Sequence, residues 1–595
     1  MNPFPFGSPE SASLGRPELE DPDAWQLWWN FNHDPLLSLD RWIDERDRES
    51  GEDARARRSK LKQAFGESAL PELRKILVEG GPVPVVRDCL LSVARVSDGE
   101  IRTKIDLEHY ARFFLATPNA ELRMASILAL GIQGDPLAVP LLSSLLRHDS
   151  QAREVVEGPV TDRDRALAAF ALGMIGHECA WPEMRREIAQ ALVATIEDAS
   201  WQVGVACVLG LGQIPLDSCH GVSDLEASEG GHVCPTTILS LLTTLSLAEE
   251  EHSWLRAHAA CAAGRLAADA PSDVRSQVAE VLFYFLDPRA CGDAEIRLGS
   301  VIGLGLLARG GTDPIDVRAR EKLFAATEDG DDMTRSFACV ALAEMASRFG
   351  LPTKEEAALR DLLAGELGRG RKERSGWAAL ALGILGHQTD GRANDSDVRI
   401  PGLLRDAVEG ARSPSEAAAA ALALGLVGDR SEETRESLLR QYRRIQDPVF
   451  RTFGGLAMGL LAIPEARPLL EERFATDADA SLPLRLLGDR DVVMALLGRV
   501  EDHDLARAIE AVKALGHTLS PEAIGPLAKV AANVTLDPAL RAQAIASLGE
   551  LADEDPVHWS SIYANDLQYH ILTAALRSPS KDGLGLLDDR VVAVR

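Results

Sequence analysis

Aromatic side chains make up only 5% of this 595-residue chain. Strands are built on aromatic and β-branched residues, so the shortage argues against an all-β fold. Eight cysteines are too few for a disulfide scaffold. Cys207, Cys261 and Cys339 fall inside apolar helical runs and read as small buried hydrophobes. Basic residues are outnumbered 63 to 91, for a net charge of −28. Such a surface repels a polyanion on average, so no nucleic-acid partner is expected. Two basic runs, at 55–62 and 369–374, read as solvated flanks. No apolar run reaches the roughly 20 residues of a membrane span. Residues 1–20 have neither the basic start nor the apolar run of a secretory signal. The expected location is therefore cytoplasmic, without membrane contact. Nor is there a Gly-x-Ser-x-Gly elbow, a His-Glu-x-x-His or a phosphate-binding loop, and Gly303-Leu-Gly305 lies inside a helix. The chain reads as a non-enzyme.

What is present is one helix, written repeatedly. Arg165-Ala-Leu-Ala-Ala-Phe-Ala-Leu-Gly173-Met-Ile-Gly-His177 states it. The Arg/Gly pair returns at Arg123/Gly131, Arg256/Gly264, Arg297/Gly305, Arg451/Gly459 and Arg541/Gly549. Counting positions that match Gly173, including poor matches at Arg95 and Arg485, gives thirteen units, mostly 34 to 42 residues apart. Pro483 interrupts the helix of the Arg485 unit. A shorter amphipathic helix precedes each motif helix, as in Ala138-Val-Pro-Leu141-Leu. Two helices per period of about 40 residues is the size class of helical solenoids. Asp293, Asp331, Asp447 and Asp537 stand four residues before an Arg and read as N-caps. The Gly and Ala positions read as places where helices approach closely, and His177, His387 and His517 as polar groups past helix ends.

These repeats resemble HEAT repeats, nearest the bilin-lyase-like subclass; Gly134-Asp135-Pro136-Leu-Ala-Val-Pro-Leu141-Leu is one such stretch. The resemblance covers about Pro82 to Ala575. It implies an all-α α-solenoid, a superhelix of about 12–13 helical pairs. It also implies an Asp/Arg ladder along the stack, here Arg123, Arg165, Arg256, Arg297, Arg335, Arg451 and Arg541 with Asp293, Asp331, Asp447 and Asp537. Deoxyhypusine hydroxylases, an enzyme type built on HEAT repeats, carry four His-Glu pairs. Only His177-Glu178 exists here, at a helix end.

The expected organisation is a disordered tail at 1–20, a Trp-rich helical cap at 21–80, repeats at 81–577 with an insertion at 215–235, and a tail at 578–595. Trp25, Trp28, Trp29, Phe31 and Trp42 mark the cap, which would cover the first unit's open face. Such Trp-Trp openings resemble those of bacterial HEAT proteins. Within the insertion, Cys219, His220, His232 and Cys234 are ligand types suited to zinc. The expected function is a scaffold or adaptor that holds a protein partner on the concave face, with a basic segment favoured by the acidic surface. The alternative is a metal- or cofactor-dependent enzyme or accessory subunit of bilin-lyase type, built around that insertion.

Overall fold

The computed structural model describes residues 24–37, 42–44, 54–96, 106–196, 200–215, 235–369, 372–387, 399–553, 555, 557–578 and 584–588. The insertion ligands and the first 20 residues lie outside these. Every regular element among the described residues is helical. Thirteen motif helices form an inner layer, from Val83–Ala94 and Ala120–Gln133 through Ser253–Ala267 to Pro538–Ala552. Each follows an outer helix, such as Leu70–Glu79 before Val83–Ala94 or Pro521–Ala532 before Pro538–Ala552.

Composition explains the layering. The Pro414–Val427 helix is buried at every position from Glu416 to Leu426. A helix apolar all round must be covered on all sides. Its neighbours Lys372–Gly386 and Pro448–Leu460 cover two of them and Arg399–Gly410 a third. Small residues set the spacing. A Cβ on Gly264 would stand 2.2 Å from the Gly303 carbonyl oxygen. Glycine is needed there because the two backbones touch.

One register recurs. Gly131 of Ala120–Gln133 meets Ala171 of Asp162–Glu178; Gly173 meets Gly210, Gly212 meets Ala262, Gly305 meets Ala341, and Gly425 meets Ala457. In each case the twelfth residue of one inner helix touches the tenth of the next. Equal offsets mean that the inner helices run parallel, with their N-terminal ends on one rim of the molecule.

The last unit repeats that contact on the first. Gly549, twelfth in Pro538–Ala552, meets Ser92, tenth in Val83–Ala94. Ser92 Oγ donates to the Ile545 carbonyl at 2.8 Å. Arg95 Nε lies 3.2 Å from Asp553 Oδ2. The outer helix Pro521–Ala532 likewise packs on Leu70–Glu79. The solenoid is therefore a closed ring, not an open superhelix with capped ends. Caps exist to cover terminal faces, and here the two faces cover each other.

The Trp-rich segment accordingly sits elsewhere than expected. The Trp25–Asn32 helix lies inside the ring, against Lys372–Gly386 and Ser561–Ala564. Trp25 packs at a tilt on Phe453, with ring centroids 4.8 Å apart and planes inclined by 55°, and its Nε1 donates to Ser415 Oγ at 3.0 Å. Trp28 packs edge-on to Trp377. Residues 557–578 and 584–588 fill the rest of the centre. Tyr569 contacts both Phe31 and Phe337. Tyr563 Oη donates to the Phe170 carbonyl at 2.7 Å. Leu584, Leu586 and Leu587 are buried, so this part of the expected C-terminal tail is core.

Candidate functional site

The concave face expected from sequence is thus occupied by the chain's own Trp25–Asn32 helix and residues 557–578. Trp25, Trp28, Trp29, Phe31, Tyr563 and Tyr569 are all buried there. At about 1.5–3 kcal/mol for each large apolar side chain, exposing the six costs on the order of 10 kcal/mol. A nanomolar complex yields about 12 kcal/mol in total. A partner would spend most of that on eviction, so the interior serves as structural core.

A small cavity remains between this plug and the ring, lined by Gln213, Cys261, Arg265, Tyr563, Asp566 and Gln568 among others. Its volume of about 10 Å³ holds roughly one water, which excludes an organic substrate. Burial pushes the Cys261 thiol up to about 12, so it carries no thiolate near neutral pH. Glu344 is raised to about 8, chiefly by burial and next by the Asp566 carboxylate. Arg265 donates to the Gln213 side chain at 3.3 Å and to the Asn565 carbonyl at 2.8 Å. His258, fully buried, donates from Nε2 to the Ile571 carbonyl at 3.1 Å. These groups fasten the plug.

The ladder residues are engaged in a different pattern from the one expected. Asp293, Asp331, Asp447 and Asp537 each accept backbone N–H groups of the helix they open. The arginines one turn later reach back to the neighbouring outer helix. Arg165, Arg256, Arg451 and Arg541 donate to the carbonyls of Leu146, Ser246, Ile445 and Ala531, at 2.9 to 3.2 Å. Those carbonyls close the outer helices of the same units and lack intrahelical donors. Side chains on a helix lean toward its N-terminus, which is where these helix ends lie. Two of these motif arginines pair with an aspartate of the next unit. Arg123 Nε sits 3.1 Å from Asp164, and Arg297 Nε sits 3.4 Å from Asp329. Arg335 pairs with Asp332 in its own first turn. His177 and His387 donate from Nδ1 to the Gln213 and Leu426 carbonyls of the next inner helices.

Cys219, His220, His232 and Cys234 lie outside the described residues, and among the described ones no three His, Cys, Asp or Glu side chains are grouped as a metal site would need.

The solvent-facing rim offers something else. Inner helices begin there, most with Asp, Asn, Ser or Thr caps. The Ser253–Ala267 helix begins instead with His252, whose Nδ1 accepts the Trp254 N–H at 3.2 Å. The His252 ring stacks on Trp201 at 4.4 Å and 13°. Trp201 and Trp254 meet edge to face at 5.2 Å and 84°. Both tryptophans are half-buried and His252 is exposed. Neither indole N–H bonds to a described residue. The turn just before them exposes Glu249, Glu250 and Glu251, and none pairs with a described cation. Leu247, on the same rim, is 43% exposed. The sequence did carry this signal, as Glu249-Glu250-Glu251-His252 beside two helix-opening tryptophans. It went unread because neither residue fits the repeat.

The fold is that of a HEAT-type helical solenoid, here closed on itself. No protein-family model matches the chain, and no curated protein does. The similar solved structures include karyopherin HEAT-repeat solenoids. A Kap121p mutant is 13% identical over 86% of this chain and 57% of its own, with a TM-score of 0.39. Kap121p bound to Nup53p is 12% identical over 86% and 56%, with a TM-score of 0.37. An engineered protein is 16% identical over 78% and 98%, with a TM-score of 0.27. The chain spans little more than half the length of the Kap121p chains it matches. These likenesses extend to helical stacking alone. Among the described residues no helix is long and apolar enough to cross a membrane.

Proposed function

We propose that this protein is a non-enzymatic interaction scaffold, and that a basic segment of a protein partner docks on its rim rather than in its concave face. The observation that carries the reading is the Trp201–His252–Trp254 cluster beside Glu249, Glu250 and Glu251. Aromatic faces attract Lys and Arg side chains, by about 0.5–1 kcal/mol at exposed sites. Three carboxylates that pair with no described cation steer the same groups toward them. The filled centre supports the choice of rim over channel.

Co-purification with the tagged full chain tests it. A partner should be retained by the wild type and reduced about tenfold for Trp254→Ala combined with Glu250→Gln, since 1.4 kcal/mol is a factor of ten. Retention should also weaken as salt rises. No specific partner from repeated native preparations would count against a scaffold. A partner held equally by the variant would move the site off this rim.

A further inference from the structure

The closure seam is a place where the charge of the molecule reverses. Residues 54–81 carry seven Lys or Arg against three Glu, in a chain of net charge −28. They form one continuous helical strap: Ala54–Ala64, a π-helical turn at Phe65–Ala69, and Leu70–Glu79. The strap lies over the last outer helix, Pro521–Ala532, and so bridges the first and last units. Its inward side is fixed by Phe65, Leu73 and Leu77, all buried. Buried Arg57 and its neighbour Arg58 both pair with Asp44.

The outward side is different. Arg74 and Lys75 on the strap and Lys529 on the last outer helix are exposed, and none makes an ion pair with a described residue. Val78 follows Arg74 by one turn and is 70% exposed; Val534 follows Lys529 and is 78% exposed. Val78 thus shares a helix face with Arg74, while Val534 sits in the turn just past the end of Pro521–Ala532. The C-terminal end of the next outer helix adds Phe113, 61% exposed. The three apolar side chains thus stand at, or just past, the C-terminal ends of three outer helices in succession: last, first and second. Exposed apolar side chains grouped among polar ones mark interaction surfaces.

We infer that the seam face docks an acidic, apolar-bearing segment of a protein partner. Charge complementarity selects the sign, and the valines and Phe113 select apolar side chains among the carboxylates. The size of the patch selects a short segment over a nucleic-acid duplex or an anionic bilayer. Screening confines the favourable field to about 8–10 Å, and either of those larger polyanions would also face the acidic surface on both sides of the strap. This inference stands independently of the rim site and gives the ring two docking faces of opposite preference.

The test uses the full chain and a short fluorescent peptide of Glu and Leu, with a Lys and Leu peptide as counterpart, followed by anisotropy. The Glu peptide should bind saturably at low salt. Lys75→Glu with Lys529→Glu should weaken it about tenfold, because two attractive charges are replaced by two repulsive ones. Val78→Ser with Val534→Ser should weaken it several-fold without changing its salt dependence. Lys529→Glu alone, on the outermost surface, serves if the double variant misfolds. Rim variants Glu249→Gln, Glu250→Gln and Glu251→Gln should leave Glu-peptide binding unchanged, which separates this site from the rim. Equal binding by wild type and charge-reversed protein would overturn the inference. So would tighter binding of phosphatidylserine vesicles or duplex DNA than of the peptide, lost in the same variants.

Discussion

Gly173 is pressed from two sides. A Cβ there would stand 2.8 Å from Gly210 Cα and 2.0 Å from Tyr563 Oη. One residue thus keeps both the ring contact and the plug contact. Gly173→Ala is expected to destabilise by about 1–3 kcal/mol, as overpacking does. Gly365→Ala, in an outer helix with nothing within 4 Å of the added Cβ, should be neutral or stabilising by up to about 1 kcal/mol. Urea midpoints of the two variants check the contrast. Equal losses would mean that helix contact is not what the ring glycines provide.

Two groups, fully buried His258 and half-buried Glu344, give the stability a pH signature. Burial lowers His258 to about 4, so it stays neutral in the fold while the unfolded chain takes up a proton near 6.5. The unfolded state then binds more protons, and stability falls as pH drops from about 6.5 to 4. Glu344, raised to about 8, works in the opposite direction. It stays protonated in the fold while the unfolded chain ionises near 4.5, so stability falls as pH rises from about 4.5 to 8. Glu344→Gln removes the second loss. It should raise the thermal midpoint at pH 8 by a few degrees and leave it unchanged near pH 4. A midpoint that responds equally at both pH values would contradict the assignment.

At the scale of elements, the inner helices were legible because their signals are local. Asp447-Pro448 and Asp537-Pro538 mark helix starts by cap and pyrrolidine. The alanine run of 417–421 could only be a buried helix. The partners of the arginines were not legible. Arg541 reaches the Ala531 carbonyl, ten residues earlier, and nothing in the sequence distinguishes that carbonyl from an aspartate in the next unit. The Trp25–Asn32 helix was legible as a helix and misplaced as a cap, because Trp25 meets Ser415 and Phe453 some 400 residues away. Its burial leads to a direct expectation. Trp28→Ala should cost about 3–5 kcal/mol, the range for a large core aromatic, although it lies near the N-terminus. Thermal unfolding followed by circular dichroism reads the loss. A change under 1 kcal/mol would restore the segment to a peripheral cap.

At the scale of the molecule, the decisive feature is closure. With thirteen inner helices, a ring needs a turn of roughly 28° per unit. No single unit encodes that angle, and small changes at each interface would yield an open superhelix from the same motif. The seam also carries no mark of its own in the sequence, since Ser92 at the tenth position of the first inner helix matches Ser547 at the ordinary interface before it. Closure has consequences for function. It removes the terminal faces, encloses Trp25–Asn32 and residues 557–578, and leaves the rim and the seam strap as the surfaces to which the two proposals assign partners.

The distance across the seam tests this account most directly. Spin labels introduced as non-natural residues at positions 75 and 529, both exposed on touching outer helices, report it by pulsed dipolar spectroscopy. Packed helices lie about 8–10 Å apart, so a closed ring gives one narrow distribution within about 30 Å. An open stack of thirteen such units would separate the labels by on the order of 100 Å, and loss of the short distance in the wild-type protein would contradict the ring.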